Sequence, residues 1–214
     1  MNQKYKTSEA FVSFPNEALG TEHIIASWES KPLSSEMAIV GVYNDTIVTI
    51  TPSASVTNGS STINAGTPFS FTLDNLQTIQ FLSPSGDLTG TIVSSTKPIV
   101  VYGGNECANV PASHCCCNHL VEQMPPINTW GNKFITVPLA FRKAGDFIRV
   151  ISGADNNTLI VDGVLINTLN KGEFYTFSST KACVITTSGP SMTVQYSKSF
   201  AIDNTMYILL SETN

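Results

Sequence analysis

Apolar and polar residues alternate along this chain in short runs, broken by Gly, Asn, Ser and Pro. Thr46 to Ile50 reads Thr-Ile-Val-Thr-Ile, a β-branched run that suits a pleated, half-buried surface. Leu159-Ile160-Val161 and Val164-Leu165-Ile166 flank Asp162-Gly163. This predicts a two-residue hairpin, because a type I′ turn needs positive φ at both central positions. Pro98 and Pro190 are expected at strand starts, where a missing N–H is tolerated. The only helical pattern is a weak one around His119 to Met124, which Pro125-Pro126 would stop. Turn signals every ~8–12 residues point to a sandwich or barrel.

The pattern occurs twice. Leu19 to Ala26 matches Trp130 to Val137, and Val40 to Ile50 matches Ser152 to Val161. Ile63 to Phe71 matches Leu169 to Phe177 through Asn64-Ala65-Gly66 and Asn170-Lys171-Gly172. Ile92 to Val101 matches Val184 to Thr193. In the first copy a longer loop, Pro52 to Ser61, replaces the Asp162-Gly163 turn, an insertion that costs little loop entropy. The expected fold is all-β, with two pseudo-repeated antiparallel sandwich- or barrel-like halves packed together. The expected boundaries are an N-terminal extension at 1–10, a first β repeat at 11–106, a cysteine-rich connector at 107–126 and a second repeat at 127–214.

Composition narrows the function. Of 214 residues only 13% are charged, the net charge is −5, and 42% are hydrophobic. A core is therefore affordable, and a broad nucleic-acid footprint is not expected. No run of ~18 apolar residues exists, so no membrane-spanning helix is expected. Met1 to Lys6 carries charge without a following apolar stretch, so no signal peptide is read there. Asn44, Asn58 and Asn156 begin Asn-x-Ser/Thr sequons in expected turns, where a glycan can attach.

Four of the five cysteines lie between Cys107 and Cys117, and Cys183 stands apart on an expected strand. Three readings of the cluster are open. One is a disulfide closing the loop, taken as Cys107 to Cys117, which contributes ~2.5–3 kcal/mol in the chain-entropy model. Another is a zinc site with His114 or His119, for which adjacent ligands are poorly spaced. The third is buried thiols. An odd number leaves at least one thiol over, so Cys115 and Cys116 are candidates for an intermolecular crosslink.

Catalytic patterns are scarce. There is no Gly-x-Ser-x-Gly elbow, Walker loop or dinucleotide fingerprint. Asp87-Leu88-Thr89-Gly90 only superficially matches an aspartic-protease loop, since Leu88 breaks the order. Cys117 with His119 has the residue types of a nucleophile and base but sits in an unpromising loop. His23 reads as a surface or pairing histidine. Spatially paired carboxylates are invisible at this level. No cofactor and no metal are expected.

Several stretches together resemble the N-terminal domain of the IgG Fc-binding protein family. They are Leu19 to Ser27, Asn44 to Ile50, Leu88 to Asn105 and Cys107-Ala108-Asn109-Val110-Pro111. The most specific is Cys117-Asn118-His119-Leu120-Val121-Glu122-Gln123-Met124-Pro125-Pro126, continued by Thr129 to Leu139. The resemblance runs from Phe11 to Leu210. It implies an extracellular all-β module without enzyme activity, of a kind found in animal mucus proteins and bacterial surface or secreted proteins. It also implies that Cys107 pairs with Cys117, with Cys115 and Cys116 as additions to the pattern. The family name does not extend Fc binding to a module lacking von Willebrand-type cysteine repeats.

The expected function is adhesion or recognition by a non-catalytic extracellular or cell-surface module, with a protein or glycan ligand. The alternative is a self-assembling, homo-oligomeric subunit of a filament or coat, crosslinked through cysteines. In that case Met1 to Ala10 would add a strand to a neighbouring sheet.

Overall fold

A computed structural model describes residues 9–140, 144–199 and 205–211. The first half contains β1 (Gly20–Ile24), β2 (Ser35–Gly41), β3 (Thr46–Thr51), β4 (Val56–Asn58), β5 (Ser61–Ile63), β6 (Phe69–Leu73), β7 (Thr78–Ser83), β8 (Ile92–Ala108) and β9 (Asn118–Gln123). The second contains β10 (Gly131–Thr136), β11 (Asp146–Ser152), β12 (Asn157–Val161), β13 (Val164–Leu169), β14 (Phe174–Ser179), β15 (Cys183–Ser197) and β16 (Met206–Leu209). They form two curled antiparallel sheets, each a half-barrel, packed together.

Each sheet is organised by one long strand. β8 pairs with β1 and β3 along its first part and with β2 and β9 along its second. β15 does the same with β10 and β12, then β11 and β16. Pro98 and Pro190 therefore lie within long strands and not at strand starts. Both fall where the ladder changes partners, so the missing N–H interrupts no regular pairing.

The duplication is structural, with one change of register. β1, β2, β3, β6, β7, β8 and β9 correspond in order to β10 through β16, pairing for pairing. The turn equivalent to Asn170-Lys171-Gly172 is not Asn64-Ala65-Gly66 but Asp74-Asn75-Leu76. The hydrogen bonds establish this. Asp74 N–H donates to Gln77 Oε1, as Asn170 N–H donates to Glu173 Oε2. Asp74 Oδ1 accepts from Asp45 N–H, as Asn170 Oδ1 accepts from Asn156 N–H. Asn64-Ala65-Gly66 belongs to a stretch inserted between β3 and β6. The expected loop at Pro52 to Ser61 includes β4, which folds onto β5 as a hairpin through Gly59 and adds to β7.

Residues 118–123 are strand β9, not helix. Asn105, Gly104, Gly103 and Tyr102 of β8 pair with Leu120, Val121, Glu122 and Gln123. Sheet pairing and burial of Leu120 override a modest local helix preference. Much of the expected connector is therefore part of the first sheet. The Asp162-Gly163 hairpin forms with positive φ at both residues.

The halves share a core. Ile151, Met192, Val194, Tyr196 and Met206 of the second half join Ile24, Ile25, Trp28, Val101 and Leu120 of the first. A smaller cluster of Phe134, Ile148, Val150, Leu159 and Ile185 lies within the second half. The junction is centred on Arg149, which is only 5% exposed. Its Nη1 donates to Asp87 Oδ2 and Ser27 O, both at 2.8 Å, and to Thr89 Oγ1 at 2.6 Å. Its Nε donates to Thr176 Oγ1. The guanidinium lies over the rings of Phe174 and Trp28, at 4.3 and 4.5 Å from their centroids. Asp87 and Thr89 therefore serve the junction, in the stretch that superficially matched a protease loop.

Two stability predictions follow from these contacts. Arg149→Ala leaves Asp87 and the Ser27 carbonyl without their cationic partner and is expected to cost about 3–5 kcal/mol in urea unfolding. Leu76 holds φ of 65° where its equivalent, Gly172, holds 85°. Leu76→Gly is expected to leave stability unchanged or raise it by up to ~1 kcal/mol, as relief of left-handed strain offsets glycine entropy.

Candidate functional site

The outer face of the first sheet carries a cleft of about 310 Å³. β2, β7, β8 and β9 supply Glu36 and Ala38, Gln80, Tyr102 and Gly104, and His119 and Val121. The N-terminal segment crosses this sheet, tied by Phe14 N–H donating to Gln123 Oε1 at 2.9 Å. It brings Phe11 against Tyr102, with ring centroids 5.2 Å apart, as an aromatic wall. Small residues make the floor. Gly104 cannot carry a side chain, because a Cβ there would lie 1.9 Å from the Leu120 carbonyl oxygen.

The polar end is an acid–imidazole cluster. Gln80 Nε2 donates to Glu36 Oε2 at 2.7 Å, and Glu36 Oε1 lies 3.5 Å from His119 Nδ1. His119 Nδ1 also lies 3.1 Å from the Asn105 carbonyl, which can only accept. Burial, helped by the Glu106 carboxylate, pushes the Glu36 carboxyl up to about 7 against the Gln80 hydrogen bond. Burial lowers the His119 imidazole below its ordinary value. At neutral pH Glu36 is thus divided between donor and acceptor forms. Among the described residues no Ser, Thr or Cys lines the cleft.

The repeat shows what this face is. Glu36, Ala38, Gln80, Tyr102, Gly104 and Val121 occupy the positions of Phe147, Arg149, Thr176, Val194, Tyr196 and Met206. In the second half that face grips the first half. Arg149 and Tyr196 Oη both donate to Ser27 O, and Trp28 packs on Phe147 and Tyr196. In the first half Ala38 and Gly104 stand where Arg149 and Tyr196 fill the grip, and a recess results.

A second hollow, about 640 Å³, lies at the junction among Val12, Phe14, Pro126, Trp130, Ile208 and Leu210. Glu122 at its edge is raised to about 7 by burial and by Glu9.

The residues singled out from sequence fall elsewhere. Cys107 is bonded to Cys117, with Cα atoms 5.1 Å apart. Cys117 is therefore no nucleophile for His119. Cys115 and Cys116 are exposed and unbonded, and Cys183 is buried. Among the described residues no group of three or more potential metal ligands is gathered, and the zinc reading has no support. Asn44 and Asn156 sit on exposed turns, and Asn58 is the exposed last residue of strand β4, just before the Gly59 turn. His23 is not a surface residue. It is 1% exposed, its Nδ1 has no hydrogen-bond partner among the described residues, and it takes the place of Phe134 in the repeat. Residues 1–8 of the expected strand-donating extension lie outside the described residues. Sequence reasoning missed Glu36, Gln80, Tyr102, Phe11 and Arg149. Arg149 did leave a signal: it is a lone charge inside Phe147-Ile148-Arg149-Val150-Ile151.

The buried acids and His23 oppose one another in pH dependence. Glu36 and Glu122 keep protons in the folded state that the unfolded chain releases above 4.5, so they lower stability as pH rises from 4.5 to about 7. Burial lowers His23 from 6.5 to about 4, so it lowers stability as pH falls through that window. Replacing both acids (Glu36→Gln with Glu122→Gln) should leave stability rising with pH between 4.5 and 6.5. His23→Phe should leave it falling, at up to ~1.4 kcal/mol per pH unit for each titrating group. Urea midpoints across this range measure both, and profiles parallel to the parent would exclude the assignment.

No solved structure matches the chain. The human IgGFc-binding protein is 32% identical over 154 residues, 71% of this chain. The chain spans only 3% of the length of that relative. A family model described as IgGFc binding protein matches residues 9–211. The chain belongs to the IgGFc-binding protein family.

Proposed function

We propose that this is a non-catalytic recognition module, secreted or displayed at a cell surface, that binds a protein ligand in the cleft on its first sheet. One observation carries the reading. The cleft face is the repeat-equivalent of a face that already grips polypeptide, the Ser27-Trp28 segment, within this same chain. A fold that binds a loop segment on one copy of a face presents a recess on the other copy, walled by Phe11 of the N-terminal segment. The aromatic wall of Phe11 and Tyr102 suits a partner side chain that is largely apolar. A raised carboxyl in a cleft also suits acid catalysis. Here both Glu36 oxygens face internal partners, Gln80 and His119, which favours binding. The family and its human relative support a protein ligand, and Fc is the first one to try.

A second reading, head-to-tail self-assembly, has one observation in its favour. Val137 to Leu139 follow β10 as Ala26 to Trp28 follow β1, and Val137 is 62% exposed. A copy offering this segment to the cleft of the next would form a heterologous contact that does not close.

The test uses Ala38→Trp, which fills the cleft from the outer face of β2. Immobilised wild-type and variant proteins are compared for binding of an IgG Fc fragment and for capture from a matrix extract. Light scattering on both reports self-association. Binding of Fc or a matrix protein that weakens at least tenfold in Ala38→Trp, with unchanged thermal unfolding, is the expected result. Oligomers of the wild type that Ala38→Trp dissolves would establish the second reading instead. Binding indifferent to Ala38→Trp would remove the cleft from the function.

A further inference from the structure

The loop between β8 and β9 is fixed at one point and reactive at another. Cys107 is fully buried, its N–H donates to Asn105 Oδ1, and its sulfur is bonded to Cys117. Just before Cys117, Cys115 and Cys116 are exposed and unbonded. Their sulfurs lie 2.7 Å apart, well inside ordinary sulfur contact and only about 0.7 Å beyond a disulfide bond. Cys116 holds φ of 72°. The remaining thiol, Cys183, is 4% exposed on β15 and lies 3.2 Å from Ser179 Oγ.

We infer that Cys115 and Cys116 are a vicinal dithiol that closes reversibly into a disulfide within the chain, a redox-labile site separate from the Cys107–Cys117 bond. Both sulfurs are exposed, so a thiolate on either can start the exchange, and Cys115 serves as the example. The Cys115 thiolate attacks one sulfur of a small-molecule disulfide such as glutathione disulfide. That S–S bond breaks, one thiol departs, and a mixed disulfide stands on Cys115. Cys116 then releases its proton to solvent and attacks the Cys115 sulfur, expelling the second thiol. Two protein thiols are oxidised and one external disulfide is reduced to two thiols. Adjacent Cα atoms are only ~3.8 Å apart, below the usual disulfide range of about 4.4–6.8 Å, so the ring is strained and easily reopened. While closed it withholds both thiols from any crosslink to another chain.

The experiment treats the full chain with glutathione disulfide, blocks free thiols, and reads intact mass, peptide maps and a non-reducing gel. The expected product is a monomer lighter by two hydrogens, carrying no glutathione, with Cys115 and Cys116 joined in one peptide. Limited dithiothreitol should return both thiols to reagent while Cys107–Cys117 stays closed. Cys115→Ser and Cys116→Ser should each trap one glutathione or one disulfide-linked partner, because the resolving thiol is gone. Wild type that retains glutathione, forms linked dimers, or re-pairs Cys107 with Cys115 or Cys116 would overturn the inference.

Discussion

A cation out of water at the centre of the molecule governs how the rest is arranged. Arg149 is carried on β11 into the junction, where desolvation would be prohibitive without partners. The first half provides them: a carboxylate from Asp87, a carbonyl from Ser27, a hydroxyl from Thr89 and the face of Trp28. None of these is adjacent to Arg149 in sequence. Satisfying one planar group therefore sets the relative position of two sheets, and the shared apolar core closes around it. Tyr196 extends the same lock, with its phenol buried and donating to Ser27 O.

The same face exists on both sheets and was put to different uses. In the second half Phe147, Arg149 and Tyr196 make it a grip for the neighbouring segment. In the first half Glu36, Ala38 and Gly104 stand at those positions and leave a recess. Gly104 keeps the recess open for a local reason, since β9 passes too close for any side chain there. Duplication thus supplied a scaffold with an internal joint on one copy of the face and a recess on the other, and the functional reading rests on that asymmetry.

Much of the local structure was legible. Alternating β-branched residues marked the strands, Asp162-Gly163 marked its hairpin, and the ordered repeats marked two halves. The Cys117 to Pro126 block pointed to the family over nearly the whole chain. The third pair of matched segments differs in register from the structure, because Asn64-Ala65-Gly66 resembles Asn170-Lys171-Gly172 more closely than Asp74-Asn75-Leu76 does. A left-handed Leu76 in the true equivalent gives no sequence signal, yet its N–H donates to the Gly41 carbonyl as that of Gly172 donates to the Ser152 carbonyl. The stretch at His119 to Met124 was likewise ambiguous, and only a neighbouring strand with open hydrogen-bonding groups resolved it.

By itself the sequence determined what depends on neighbours along the chain: turn positions, strand propensity, the duplication and a cysteine-rich loop. Only the tertiary structure decided what depends on distance. It buried His23 where Phe134 stands in the other half, and it set Glu36 beside Gln80 and His119 from three separate strands. It also turned Arg149 from a lone charge in an apolar strand into the joint of the molecule. The physical reason is that desolvation and pairing act between groups far apart in sequence, so their effects exist only once the sheets have met.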